Sequence, residues 1–142
     1  MVASDERTKL TDFVVDYLKS LRHNLVLLGT LGESPSDKWV EIGKEAALMV
    51  AEGKVERGIL FCWSGTGICM AANRIQRARA ALCWRGEIAR LARKWDGANI
   101  LCMALVDTNE EIAKEMIDTF LATEFNEEGL NEAHKLDEQK HH

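Results

Sequence analysis

The chain has 142 residues, 46% of them hydrophobic and 29% charged, with 18 Lys and Arg against 23 Asp and Glu. That length predicts a single domain over residues 1–142, large enough to fold on one core without metal or disulfide staples. A formal charge of −5 excludes non-specific nucleic-acid partners, which need a basic face. No apolar run approaches the roughly 18 residues that span a bilayer, and no charged-then-apolar leader opens the chain. A cytoplasmic protein without a membrane partner is therefore expected. His141 and His142 read as the stub of an expression tag and are set aside. Cys62, Cys69, Cys83 and Cys102 show no CxxC spacing, so buried free thiols are expected and no metal site.

In chain order, Met1-Val2-Ala3 is a short apolar start, barely long enough for a first strand, and Ser4-Asp5-Glu6 ends it. Leu10, Phe13, Val14, Tyr17, Leu18 and Leu21 then recur at helical spacing. Leu25–Leu28 reads as a buried strand ending at Gly29. Gly32–Asp37 carries the only proline and reads as a loop. Trp39, Ile42, Ala46, Met49 and Val50 mark a second helix that ends around Gly53. Gly58–Cys62 is a third strand, followed by a Gly-rich turn and a helix over Ile68–Asn73. Ala78–Cys83 is the fourth strand, and Ile88, Leu91, Ala92 and Trp95 stripe the next helix. Ala98–Val106 is the fifth strand. Thr108-Asn109-Glu110-Glu111 has the form of a capping box opening the helix of Ile112, Met116, Ile117, Phe120 and Leu121. The polar tail from Asn126 reads as a last helix.

Strand and helix thus alternate five times, and the strands are too apolar to have a wet face. That order predicts an α/β fold: a doubly wound sandwich with a five-stranded parallel sheet and helices on both faces. Ligands of such sheets bind outside the carboxyl ends of the strands. The loops after strands one, three, four and five therefore carry the candidates.

Cys62-Trp63-Ser64-Gly65-Thr66-Gly67 joins a buried strand to a helix, where backbone N–H groups can cradle an anion; a purely structural turn is the alternative. It is neither a Walker A loop nor a GxGxxG loop. Cys62 at its mouth is either a small residue ending a strand or a thiol tuned by a helix N-terminus to act as base or nucleophile. Asp5 and Glu6 face the same crevice and can hold sugar hydroxyls or exchange a proton, unless they form only a polar loop with a capping Asp. Trp63 and Trp84 follow strands and can line a sugar pocket, whereas Trp95 fits its helix stripe and is expected in the core. Asp96-Gly97-Ala98-Asn99 is a helix exit. His23 is expected at a helix C-terminus and His134 in solvent.

Several stretches together resemble the ribose-5-phosphate isomerase B and galactose-6-phosphate isomerase family. They are Ala3-Ser4-Asp5, Gly58–Cys62, Ser64-Gly65-Thr66-Gly67, Ala71-Ala72-Asn73, Arg79–Cys83, Ala89–Arg93 and Ala98–Leu101. Their spacing fits the family without gaps from Lys38 to about Val106. The resemblance implies a Rossmann-like sheet, a homodimer or tetramer with active sites between subunits, and cofactor-free aldose–ketose isomerisation through a cis-enediolate. It assigns Cys62 as base, Ser64 and Thr66 as hydroxyl donors, and Gly65 and Gly67 as backbone donors. It makes Asp5 a substrate ligand and puts Trp39 where the family has a substrate-facing Tyr. Where some members use a Glu one turn into the helix, this chain has Ile68.

The chain also departs from the family. Glu6 stands where His is usual, Trp95-Asp96 where the family has its ring-opening His-Asn pair, and Val106 where an Arg helps hold phosphate. The basic C-terminal run is here Gly129-Leu130-Asn131-Glu132-Ala133-His134-Lys135. Asp96 or Glu6 is then the candidate for ring opening. The expected substrate is a sugar phosphate. The lost basic residues leave open an unphosphorylated sugar, or a sugar-binding subunit with impaired catalysis.

Overall fold

The structure is a computed structural model and describes residues 1–33 and 36–138. Part of the Gly32–Asp37 loop, and the closing His141 and His142, lie outside the described residues. The elements are β1 (Val2–Ser4), α1 (Lys9–Ser20), β2 (Leu27–Gly29), α2 (Trp39–Ala51), β3 (Gly58–Cys62) and α3 (Thr66–Ala72), then β4 (Ala80–Leu82), α4 (Gly86–Asp96), β5 (Ile100–Ala104), α5 (Glu110–Ala122) and α6 (Glu127–Asp137). All pairings are parallel and the strand order is β2-β1-β3-β5-β4. The expected doubly wound, Rossmann-like sandwich is what the chain forms.

Alternation along the strands divides the core in two. Val2, Ile59, Phe61, Leu101 and Met103 pack under α1, α4 and α5, with Val14, Met116 and Phe120 among their partners. Ala3, Leu60, Cys62, Ile100 and Cys102 point to the opposite face and pack under α2 and α3, against Ile42, Ala46 and Ile68. Each large side chain removed from water there contributes roughly 1.5–3 kcal/mol. Both faces of the central strands are therefore dry, which explains their uninterrupted apolar runs.

The strand limits are tighter than expected. Only Ala80–Leu82 of the Ala78–Cys83 run stands in register with β5, although the Cys83 N–H still reaches the Cys102 carbonyl at 3.1 Å and the Arg79 carbonyl accepts from Ile100 at 3.2 Å. The N–H of Arg79 donates to Asn99 Oδ1 at 2.8 Å, and Asn73 clamps both polar groups of Ala80 at 2.8 and 2.9 Å. Helix α5 opens differently from the expected box: its N-cap is Asn109, whose Oδ1 accepts from the Ile112 N–H at 2.8 Å, so Thr108 lies outside. The reciprocal box occurs at α1, between Thr8 and Thr11, so Asp5 is no cap. Trp95 is 43% exposed rather than in the core, with the Lys94 ammonium 5.3 Å from its ring centre.

The connections define the crevice. α1 leaves β1 toward one face of the sheet and α3 leaves β3 toward the other, and β1 and β3 are neighbours. Their carboxyl ends form the switch point, where departing loops diverge and leave room for a ligand.

Candidate active site

Cys62 is the last residue of β3, paired with Ala104 of β5 and 4% exposed. Its carbonyl accepts from Gly65 at 3.2 Å and from Leu105 at 3.0 Å, which ties the following turn to both strands. Cys62, Cys83 and Cys102 are buried and Cys69 half-buried, all as free thiols, as expected. Burial pushes the Cys83 thiol up to about 12, which keeps it protonated and inert. The Cys69 thiol is lowered chiefly by a hydrogen bond from Cys102.

The turn beyond Cys62 works because Gly65 is a glycine. Its φ is +74°, and a Cβ there would stand 2.6 Å from Leu82 Cδ1 and 2.8 Å from the carbonyl carbon of Met103. The left-handed step reverses the chain directly onto the end of β5. It sets the Ser64 and Thr66 hydroxyls side by side at 2.6 Å, both on exposed residues. The helix begins at Thr66, two residues before the expected Ile68; its N-cap Gly65 has no side chain to cap it, and the Ser64 hydroxyl accepts from the Thr66 N–H at 3.4 Å. The N–H groups of its first turn are thus without intrahelical partners.

Trp39 reaches this turn through helix packing. Toward the end of α3 the two helices pack closely: a Cβ on Gly43 of α2 would lie 2.7 Å from that of Ala71. One turn earlier on both helices the same register sets the Trp39 indole on Gly67, with ring atoms 3.1 Å from where a Cβ would be. Trp39 remains 43% exposed, with part of its ring available beside the turn.

Asp5 follows β1, and its N–H donates to the Phe61 carbonyl at 3.4 Å, extending the β1–β3 ladder to the residue before Cys62. Ser4 beneath it is fully buried; its hydroxyl donates to the Glu6 carbonyl at 2.5 Å, and its own carbonyl accepts from Thr30. The Asp5 carboxyl is raised above its ordinary range, first by burial, then by the neighbouring Glu6 and by Asp37. Asp37 is a member of this cluster that the residue types alone did not single out. Its signal is its position in the loop from β2, which also ends at the carboxyl edge.

Asp5, Cys62, Ser64–Gly67 and Trp39 therefore lie around one crevice, with Glu6 exposed at its rim. Asp96 does not. It ends α4, before β5 begins, and so stands at the amino edge of the sheet, a strand's length from Cys62. There it lines a separate cavity of about 340 Å³ with Arg77, Arg79 and Asp137. Trp63 and Trp84 end up 60% and 63% exposed at the carboxyl edge, and Val106 donates its N–H to the Trp63 carbonyl at 3.0 Å. His23 closes the α1 terminus, with its N–H on the Leu18 carbonyl at 3.3 Å. No group of three His, Cys, Asp or Glu among the described residues is arranged to hold a metal ion, and no described helix is long and apolar enough to cross a membrane.

A parallel sandwich opening at its switch point is shared by many activities, so the fold defines a Rossmann-like α/β class and no more. Comparison with known proteins narrows it. The family model described as Ribose/Galactose Isomerase matches residues 1–138, and the chain belongs to that family of sugar isomerases. It is 33% identical to the D-erythrulose-4-phosphate isomerase of Pectobacterium atrosepticum over 130 residues, which cover 90% of this chain and 83% of that one. It is 34% identical to the probable ribose-5-phosphate isomerase B of Mycoplasma genitalium, over 96% of this chain and 90% of that one. The ribose 5-phosphate isomerase structure from Thermotoga maritima superposes with a TM-score of 0.88 at 32% identity, covering 97% of this chain and 96% of that one. The chain is thus an isomerase, an intramolecular oxidoreductase of the ribose-5-phosphate isomerase B type.

Proposed function

We propose that the protein interconverts an aldose and a ketose phosphate without a cofactor, through a cis-enediolate, with Cys62 as the base. The observation that carries this is the join of a thiol at the end of β3 to a left-handed Gly65 turn bearing two adjacent hydroxyls. In the forward direction Cys62, as thiolate, removes the C2 proton of the open aldose. The C2–H electron pair becomes the C1–C2 double bond, and O1 takes up a proton. The thiol then returns its proton to C1, and the O2 proton leaves as the ketone forms. Negative charge develops on O1 or O2, within reach of the Ser64 and Thr66 hydroxyls and the N–H groups of Gly67 and its neighbours. Preorganised donors of this kind are worth several kcal/mol to such a step. Asp5 and Glu6 hold sugar hydroxyls, and Trp39 covers one side.

Asp96 enters this scheme only from a second copy of the chain. Its place at the opposite edge supports the dimer with shared sites that the family resemblance implies. Asp96 of the partner then serves ring opening or substrate binding.

One observation favours an unphosphorylated sugar instead. Asp5, Glu6 and Asp37 make the crevice of a single chain acidic, and its nearby cations are engaged: Arg7 with Asp12 at 2.9 Å and Lys38 with Asp37 at 3.5 Å. The deciding experiment is isomerisation of matched phosphorylated and free aldoses of four, five and six carbons. Turnover of a phosphorylated member supports the main reading. Turnover of free sugars alone supports the second. Thermal stabilisation by a sugar without any turnover indicates a binding subunit and contradicts both.

A further inference from the structure

The connection between α3 and β4 puts an arginine where the backbone favours glycine. Arg77 has φ +75°. A residue with a Cβ in that region is strained and persists where its surroundings hold it. Here Asn99 holds both flanks: its Nδ2 donates to the Arg77 carbonyl at 3.0 Å, and its Oδ1 accepts from the Arg79 N–H at 2.8 Å. The side chain so presented is exposed, and among the described residues no carboxylate pairs with it. Arg74, exposed on the same connection, does not line the amino-edge cavity, and the two other guanidiniums nearby are occupied. Arg79 donates to the Gly97 carbonyl at 2.7 Å and pairs with Asp137 at 2.8 Å. Arg93 is buried on the carbonyls of Thr123 and Ala98.

Arg77 and Asp96 line the same cavity at the amino edge. The carboxyl-edge crevice has the opposite character: Asp5, Glu6 and Asp37 gather there, and its own cations are paired within the chain. Arg85 follows the edge strand β4, two strands from β3 and thus about 10 Å from the Cys62 line. A sugar phosphate brings a dianion, whose usual partner is a guanidinium with free N–H donors. We infer that Arg77 is the phosphate-binding residue of this isomerase and acts in trans, entering the crevice of a second copy beside Asp96. The inference rests on the isomerase reading above. It adds a specificity residue: with Arg79 held by Asp137, Arg77 is the one cavity-lining cation, among the described residues, left for a phosphate.

Arg77→Gly is an informative variant, because glycine suits the left-handed backbone and removes only the charged side chain. With the phosphorylated sugar turned over fastest by the wild type, KM and the inhibition constant of inorganic phosphate should both rise by about tenfold or more. kcat should change much less, and the thermal midpoint should not fall. Arg77→Lys should lie between, and Arg85→Gln should match the wild type. Mixing Cys62→Ala chains with Arg77→Gly chains then tests the trans arrangement. Each mixed dimer contains one intact site, so at substrate far below the wild-type KM, where Arg77→Gly alone is about tenfold slower, random mixing should restore about a quarter of wild-type activity. An unchanged KM in Arg77→Gly overturns the inference, as does a KM rise in Arg85→Gln alone. So does a mixture with no recovery, or a monomeric protein in solution. Full activity of Cys62→Ala overturns the isomerase base instead, and the KM comparison still judges Arg77. If no phosphorylated sugar is turned over, calorimetric titration of wild type and Arg77→Gly with inorganic phosphate decides: equal binding overturns the inference.

Discussion

Asp5 shows what the site costs a single residue. Its carboxyl is raised by burial, Glu6 and Asp37, so the fold disfavours its charged form. The folded protein therefore holds that proton to higher pH than the unfolded chain. The sign follows: this group's effect on stability is absent at acid pH, and it lowers stability as pH rises through and above the ordinary carboxylate range near 4. Asp5→Asn should raise the thermal midpoint at neutral pH and flatten its decline with pH, while activity falls. Melting curves across pH 3–8 check both; an Asn variant less stable at neutral pH speaks against the assigned causes. Gly67 offers a second test. A Cβ there meets the Trp39 ring at 3.1 Å, so Gly67→Ala must displace the indole. KM should rise several-fold with little loss of stability, since Trp39 is half exposed; fluorescence of the indole reports the shift.

Element ends separate what residue types reveal from what geometry decides. Helix α5 looked capped at Thr108 because Ser/Thr followed three residues later by Glu is the usual signature. Asn109 stands one place further on and is as good a cap, and the chain from β5 arrives so that Asn109 takes the role. Asn109→Ala should cost about 1 kcal/mol and Thr108→Ala far less, measured by urea unfolding. Helix α1 ends in a Schellman arrangement, with Arg22 N–H on the Lys19 carbonyl at 2.9 Å and His23 N–H on that of Leu18. Arg22 has φ +66° there, so Arg22→Gly should stabilise the protein by up to about 1 kcal/mol. The element order was legible throughout, because the apolar runs of β3 and β5 and the helix stripes have different periods. The strand ends were not. Residues such as Arg79 and Ala98 continue the run, but the Arg79 N–H goes to the Asn99 side chain and the Ala98 carbonyl to Arg93.

At the scale of the molecule, the candidate site was legible as far as one edge of the sheet. Asp5, Cys62 and the Ser64–Gly67 turn follow strands and so had to converge at the carboxyl edge. Asp96 precedes a strand, and that alone sends it to the other edge. Trp95 departs from its stripe because its backbone packs against Gly129 of α6 while its side chain stays exposed. What joins this distal region to the core is Arg93, 3% exposed, with its guanidinium 5.2 Å from the Phe120 ring and 4.0 Å from that of Phe125. Burial lowers it to about 10, still charged at neutral pH. Arg93→Ala should destabilise by about 3 kcal/mol or more, since it leaves the Thr123 and Ala98 carbonyls unpaired beside a cavity.

The central claim is that Cys62 moves the proton. Its most direct test is the isomerisation rate of Cys62→Ala in deuterated water, alongside the wild type and a melting curve of each. The account predicts a folded variant slowed by about 10²-fold or more, with solvent deuterium entering the product carbon only when Cys62 is present. A folded Cys62→Ala that isomerises and exchanges at the wild-type rate would contradict it.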